Sequence, residues 1–332
     1  MNKSSLAKKS TVTLIALAFL GFYSCKQNPK KEKADETTAE VITEEESKPE
    51  IKMSLAQWSI HKMILEEGVD PYTFAEKANE WGFEGLEYVS QLYNKELQAA
   101  DFSEEAMNSW VEKSKAESDK YGLKNLLIMV DGQGDIALPD EAERTKAVEN
   151  HYKWVDAAAA LGCHSIRVNL NGSMDPEVWM PASVAGLTQL ATYAKDKNIN
   201  IIVENHGGPS SNAEMLAAVM EKVGMDNCGT LPDFGNFCIK RSEGDYYSSE
   251  CVEEYDKYKG VKELMPYAKG VSAKSYNFNE EGYETDIDFP RMMDIVLDSG
   301  YEGFVGVEYE GSELSEEEGI LATKELLEKV LE

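Results

Sequence analysis

Histidine is scarce in this chain. Four occur in 332 residues, His61, His151, His164 and His206, and none follows His206. That scarcity argues against a histidine-rich, multi-zinc site. Positive charge is also short, with 33 lysines and arginines against 61 aspartates and glutamates and a formal net charge of -28. Such a surface repels phosphate backbones and anionic headgroups, so no nucleic-acid partner is expected. The five cysteines include no CxxC spacing. The apolar run Val12–Phe22 is too short to span a bilayer. No glycine-rich phosphate turn follows the first apolar segment, where the chain reads Gln57-Trp58-Ser59-Ile60-His61; a dinucleotide-binding open sheet would carry one there.

What is present begins with a targeting signal. Lys3, Lys8 and Lys9 form a basic region before the short apolar run, which ends at Tyr23-Ser24-Cys25. A small residue before cysteine resembles a bacterial lipoprotein processing site, although Phe22 and Tyr23 are bulky for that role. Residues 1–25 therefore read as a lipoprotein signal peptide with Cys25 as the lipidated residue. Residues 26–50 are rich in lysine and glutamate, with Pro29 and Pro49 and almost nothing apolar. They cannot bury a core and read as a disordered tether. The expectation is an exported, membrane-anchored and periplasm-facing protein whose membrane contact is the lipid alone. Cys163, Cys228, Cys238 and Cys251 are expected as unpaired, mostly buried thiols, since spacing alone cannot choose among three pairings.

From residue 51 to 332, short apolar runs alternate with longer amphipathic stretches. Strands are expected at Lys52–Trp58, Phe83–Val89, Asn125–Val130, His164–Asn169, Ile199–Val203, Cys228–Leu231, Lys269–Lys274 and Gly303–Glu308. Helices are expected between them, among them Pro71–Trp81, Asp140–Leu161, Pro181–Lys197 and Glu250–Tyr267. Eight strand–helix pairs over about 280 residues predict an α/β fold, a single (β/α)8 TIM barrel.

The most informative stretch is Ile199-Asn200-Ile201-Ile202-Val203-Glu204-Asn205-His206-Gly207-Gly208. Its β-branched run reads as a strand buried on both faces. Alternation puts Glu204 and His206 on one side at the strand's C-terminal end, where barrels bind ligands. Other strand ends contribute Glu87, Asp131, Asn169, Asp233, Lys274 and Glu308, with Arg167 sharing a face with Asn169 and Glu310 with Glu308. Carboxylates gathered in one pocket repel unless protons are shared or a cation neutralises them. Glu204, Asp233 and Glu308 together therefore suggest a divalent metal.

These strand ends resemble the sugar phosphate isomerase/epimerase family, the xylose isomerase-like TIM barrels. The resemblance spans roughly Lys52 to Val330. It is carried by Leu55-Ala56-Gln57-Trp58-Ser59, Gly85-Leu86-Glu87-Tyr88, Leu161 to Asn169, Val203-Glu204-Asn205-His206-Gly207-Gly208, Pro232-Asp233-Phe234-Gly235-Asn236 and Gly300 to Gly311. It implies metal ligation by Glu204, Asp233 and Glu308, and it implies that Glu204 and Glu308 are the catalytic carboxylates. His206, Lys274, Arg167, Asn169, Glu87 and Asn236 become candidate substrate contacts. The family has a histidine ligand two residues before the strand-seven lysine; here that residue is Ser272. Asn236 likewise stands where many relatives have a substrate-binding histidine. With oxygen donors alone, manganese or magnesium is the expected ion, held weakly or not at all because Ser272 replaces the histidine.

The implied reaction is isomerisation or epimerisation of a keto sugar or sugar derivative. Two carboxylates would move a proton next to a carbonyl, and a cation would stabilise the enediolate. Two alternatives remain: a lyase or hydrolase of keto-glycosides using the same proton abstraction, and a sugar-binding lipoprotein without catalysis. The partner in each case is a small carbohydrate, and oligomeric state stays open. Acylation at Cys25 has a direct check. Cells fed a fatty-acid probe should label the protein, and the Cys25→Ala variant should take up none; label on that variant would refute the assignment.

Overall fold

The computed structural model describes residues 50–242 and 249–332. The signal peptide, Cys25 and nearly all of the expected tether lie outside the described residues. Within them run ten strands: β1 (Ile51–Ala56), β2 (Gly85–Val89), β3 (Lys124–Met129), β4 (Ser165–Val168), β5 (Asn200–Glu204), β6 (Cys228–Leu231), β7 (Cys238–Arg241), β8 (Cys251–Glu254), β9 (Val271–Ser275) and β10 (Gly303–Tyr309). Eight pair in parallel in the order β6-β5-β4-β3-β2-β1-β10-β9. The remaining seam, between β6 and β9, is closed by single bridges at Thr230–Ala268 and Asp233–Ser272. There Ser272 N donates to Pro232 O at 2.9 Å, and Phe234 N donates to Ser272 O at 3.1 Å. The fold is a (β/α)8 barrel.

The helices form where a side-chain cap opens an amphipathic run. Asp140 caps Glu141–Leu161, Asp175 caps Pro176–Lys195, Asn212 caps Ala213–Val223 and Ser315 caps Glu316–Leu331, each accepting from a backbone N–H in the first turn. Their apolar faces cover the strands. Trp110, Trp154 and Trp179 are fully buried in that layer, and Trp110 meets Trp154 edge to face. Among the described residues, no helix is long and apolar enough to cross a membrane.

Three local expectations need correction. The strand expected over Lys52–Trp58 stops at Ala56, and Gln57–Ile60 is a 3₁₀ turn. Buried Gln57 holds that turn, donating to Tyr93 Oη at 2.8 Å and accepting from Val89 N at 3.1 Å. The helix expected at Pro181 begins instead at Pro176 and runs through Pro181. Proline suits the first helical position. The backbone bond lost at Pro181 is outweighed by packing, for Trp179 is fully buried and its Nε1 donates to Leu170 O at 2.8 Å.

The third correction concerns Glu250–Tyr267. Its first part is β8, antiparallel to β7, and the helix is restricted to Lys257–Leu264 with Asp256 as cap. A disulfide between Cys238 and Cys251, 13 residues apart with Cα atoms at 5.8 Å, ties the hairpin. These two cysteines are therefore paired, against expectation. The link commits residues 251–254 to pairing with β7, and the helix has to wait for the next capping aspartate. Cys163 and Cys228 are free, and Cys163 is buried. Alkylation without reductant is expected to leave Cys238 and Cys251 unmodified. Replacing both by serine is expected to lower stability by up to about 3 kcal/mol, the loop-closure value for a link of this span. Modification of both thiols in unreduced protein would contradict the pairing.

Candidate active site

At the C-terminal end of the barrel, register decides which side chains meet. Glu308 on β10 stands opposite Lys274 on β9, and Asp233, just past β6, bridges to Ser272. Glu204 ends β5. Gly207 and Gly208 follow with φ of 85° and 59°, a left-handed turn that glycine adopts without strain. One carboxylate oxygen from each of Glu204, Asp233 and Glu308 lies within 4.8 Å of the others, and all three residues are buried. The three expected metal ligands thus converge.

Two cations are set among the acids. Arg167 Nε lies 2.9 Å from Glu204 Oε2 at ion-pair distance, although its N–H is not aimed along that line. Its Nη1 donates to Asp131 Oδ1 at 2.9 Å. Asn169 Nδ2 donates to the same Asp131 oxygen at 2.8 Å, so Asn169 supports the arginine–aspartate pair and is not among the residues lining the cavity. Lys274 is 1% exposed. Its Nζ lies 3.4 Å from Glu308 Oε2, 3.8 Å from Asp233 Oδ2 and 3.3 Å from Glu310 Oε2. Burial by itself would discharge this lysine, but the surrounding carboxylates outweigh it and keep it a cation.

Ser272 has a part that its type did not announce. Its Oγ is 2.7 Å from Asp233 Oδ2 and 2.9 Å from Glu308 Oε2. A hydroxyl has one proton to donate. Both contacts are full hydrogen bonds at once only when one of the two carboxyl groups carries a proton of its own. Burial points the same way. It pushes the Glu308 carboxyl up to about 8 and Asp233 up to about 6, with Lys274 opposing both shifts. Asp233 also accepts from Gly235 N and Asn236 N, each at 2.8 Å. Glu204 Oε1 accepts from Asn236 Nδ2 at 2.9 Å. Asn236, expected to touch substrate, thus bonds two of the expected metal ligands, its side chain holding the catalytic candidate Glu204 and its backbone holding Asp233.

A cavity of about 1110 Å³ opens above this cluster. Arg167, His206, Asn236 and Glu308 line it directly, while Glu204, Asp233 and Lys274 are buried beneath them. Burial lowers the basicity of His206, against a smaller opposing pull from Glu204. Glu87 is not at this mouth, contrary to expectation. It is the third of five residues in β2, two short of the strand's end. Its carboxylate lies inside the barrel, accepts from Ser54 Oγ at 2.6 Å, and rests so close to Gly306 that a methyl group there would collide with it. It borders a separate cavity among the strand starts, with His164, Asn200 and Gly303. Burial pushes its carboxyl up to about 7.

Several residues of the cavity were given no catalytic, metal or substrate role from the sequence, although Asp131 and Glu310 were already placed at strand ends. Asp131 and Glu310 line the cavity, as do Trp58, Tyr276 and the hairpin residues Cys238–Ser242. Alternation along β10 already placed Glu310 with Glu308. The hairpin had no comparable signal beyond two cysteines 13 residues apart.

Known proteins bear on this geometry. The profile of the family described as Xylose isomerase-like TIM barrel matches residues 75–330. No curated protein matches the sequence. Among solved structures, the IOLI protein with a binding zinc atom is similar at 17% identity, TM-score 0.62, over 84% of this chain and 98% of that one. A D-tagatose 3-epimerase-like protein is similar at 18% identity, TM-score 0.60, over 84% and 97%. D-Psicose 3-epimerase from Clostridium cellulolyticum H10 is similar at 15% identity, TM-score 0.61, over 85% and 99%.

The buried acids give stability a definite pH dependence. Glu308 and Glu87 keep protons in the folded chain up to about 8 and about 7, whereas the unfolded chain releases them near 4.5. The folded state binds more protons across that window, so stability falls as pH rises through it. The buried imidazoles act in the opposite sense but below their ordinary 6.5. With chelator present, the denaturant midpoint is expected to be lower at about pH 8 than at about pH 6.5. Glu308→Gln should shrink the difference. Equal midpoints at both pH values would show that these carboxyl groups are ionised in the folded protein.

Proposed function

The chain belongs to the xylose isomerase-like TIM barrel family, and from that premise we propose that it is a sugar isomerase or epimerase acting on a keto sugar by carboxylate-mediated proton transfer. One observation carries the proposal. Two buried carboxyl groups with opposite surroundings, Glu204 beside Arg167 and Glu308 kept protonated by burial, converge under one cavity. Carboxyl groups whose environments differ in this way can divide the roles of base and acid.

In this reading the sugar lies on the floor of the cavity with its carbonyl toward Lys274. Glu204 accepts a proton from the carbon beside the carbonyl. The C–H electron pair forms the C=C bond of an enediolate, and negative charge moves onto the former carbonyl oxygen. The Lys274 ammonium stabilises that charge. Glu308 delivers its proton to carbon from the other side, which gives the epimer, and exchange with water resets the two carboxyl groups. His206 and Arg167, both on the cavity wall, are placed to contact hydroxyl groups.

A divalent cation fits the donor set in charge and in spacing. Three carboxylate oxygens converge within 4.8 Å, and burial raises the proton affinity of two of them, Glu308 and Asp233. Glu204, Asp233 and Glu308 would hold it, and when bound it would supply further stabilisation of the enediolate oxygens. Oxygen-only donors favour manganese or magnesium. Ser272 bonds to two of the three acids and so competes with the ion for their lone pairs. We also propose an exported lipoprotein, supported by the basic amino-terminal segment and the Ser24-Cys25 junction.

Incubation with a panel of keto sugars in deuterated water, with and without manganese, tests the reaction. The expected result is deuterium at the carbon next to the carbonyl, with Glu204→Gln slowing exchange by about a hundredfold or more. Ser272→His is expected to tighten zinc or cobalt binding in a calorimetric titration. No exchange by the wild type under any metal condition, or full exchange by Glu204→Gln, would sink the proposal.

A further inference from the structure

The cavity is larger than the chemistry on its floor requires. Its volume of about 1110 Å³ lies above the range usual for pockets that take drug-sized molecules, and a single sugar ring fills only a fraction of it. Its lining is also of two kinds. Asp131, Arg167, His206, Asn236, Glu308 and Glu310 are polar or charged, whereas Trp58, Met174, Pro209, Met215 and Ile239 offer apolar surface. The apolar group comes from four different stretches of chain, the turns after β1, β4 and β5 and the disulfide-tied hairpin, with Met215 on the helix after β5.

This surface is braced. The Trp58 ring stacks on His61 with centroids 4.4 Å apart and planes 7° apart. His61 Nδ1 in turn lies 2.6 Å from Trp58 O and 3.3 Å from Glu316 Oε1. One indole face is thus covered by a fixed imidazole, while Trp58 is half-buried and still lines the cavity. Met174 is 54% exposed, so a large apolar side chain faces solvent there without cover from the barrel. Lys240 and Arg241 from β7 and Glu253 from β8 also line the space. They are of both signs, which argues against a phosphate or carboxylate tail.

Sugar hydroxyl groups need hydrogen-bond partners, and the apolar wall offers few. An apolar group placed there would lose water contact and gain an aromatic platform. We propose that Trp58, Met174, Pro209, Met215 and Ile239 form a subsite for an apolar substituent, so that the substrate is a keto sugar bearing an aryl or alkyl aglycone and not a free monosaccharide. This rests on the placement of the sugar on the carboxylate floor proposed above.

Matched methyl and phenyl keto-glucosides, compared by deuterium exchange, test the subsite. The phenyl compound is expected to show a KM about tenfold lower or better, from burial of one ring. Trp58→Ala should erase that ratio. Met174→Ser, at an exposed position where folding is not at risk, should narrow it. Equal KM values for the two compounds, with exchange proceeding, would overturn the subsite and leave the proton-transfer reading intact. If neither compound exchanges, calorimetry with phenyl glucoside and methyl glucoside decides separately. A phenyl preference lost in Trp58→Ala supports the subsite though the reaction fails, and the lack of any preference overturns it.

Discussion

Negative charge crowded inside a barrel is the constraint on which the rest of this structure depends. Glu87, Asp131, Glu204, Asp233, Glu308 and Glu310 gather around Arg167 and Lys274. Each cation is shared, Arg167 between Asp131 and Glu204, Lys274 among Asp233, Glu308 and Glu310. The two together cannot balance six ionised acids. Shared protons or a bound cation make up the difference, and the Ser272 hydroxyl, within hydrogen-bond distance of two carboxyl groups with one proton to give, sits between two of the acids concerned. A site prepared in this way already contains an acid and a base before any ligand enters. The same three converging carboxylates, Glu204, Asp233 and Glu308, are the group that could hold a cation.

The layout of the barrel was legible because parallel strands buried on both faces leave continuous β-branched runs, and such runs are hard to read otherwise. The run Ile201-Ile202-Val203 and the alternation of Glu204 with His206 located the site from a few residues. Glu87 was misplaced because alternation tells which face a side chain takes but not how far along the barrel it lies. Its register with β1 and β3 sets the depth, and register is a property of neighbours distant in sequence. The hairpin escaped notice for a related reason. The segment before Lys257 has a polar, glutamate-rich composition that suits a helix, and a covalent link to Cys238 overrides that preference. The role of Ser272 was invisible from its type, since a hydroxyl matters here through the two acids that the barrel seam brings to it.

The seam between β6 and β9 deserves a place beside the charges. It is held by isolated bridges and not by a continuous ladder, and it lies where Asp233 meets Ser272. The weakest join of the barrel wall and the center of the acid cluster therefore coincide. Side-chain hydrogen bonds from Ser272 supplement the sparse backbone pairing there, so the site contributes to closure of the fold that carries it.

Gly306 carries a last consequence. It faces the Glu87 carboxylate so closely that no Cβ fits between them. The two positions lie on different strands, 219 residues of chain being no barrier to their acting as one unit. A side chain at 306 would meet the end of the Glu87 side chain, so it is admitted only where that carboxylate gives up its place beside Ser54 or a shorter residue stands at 87.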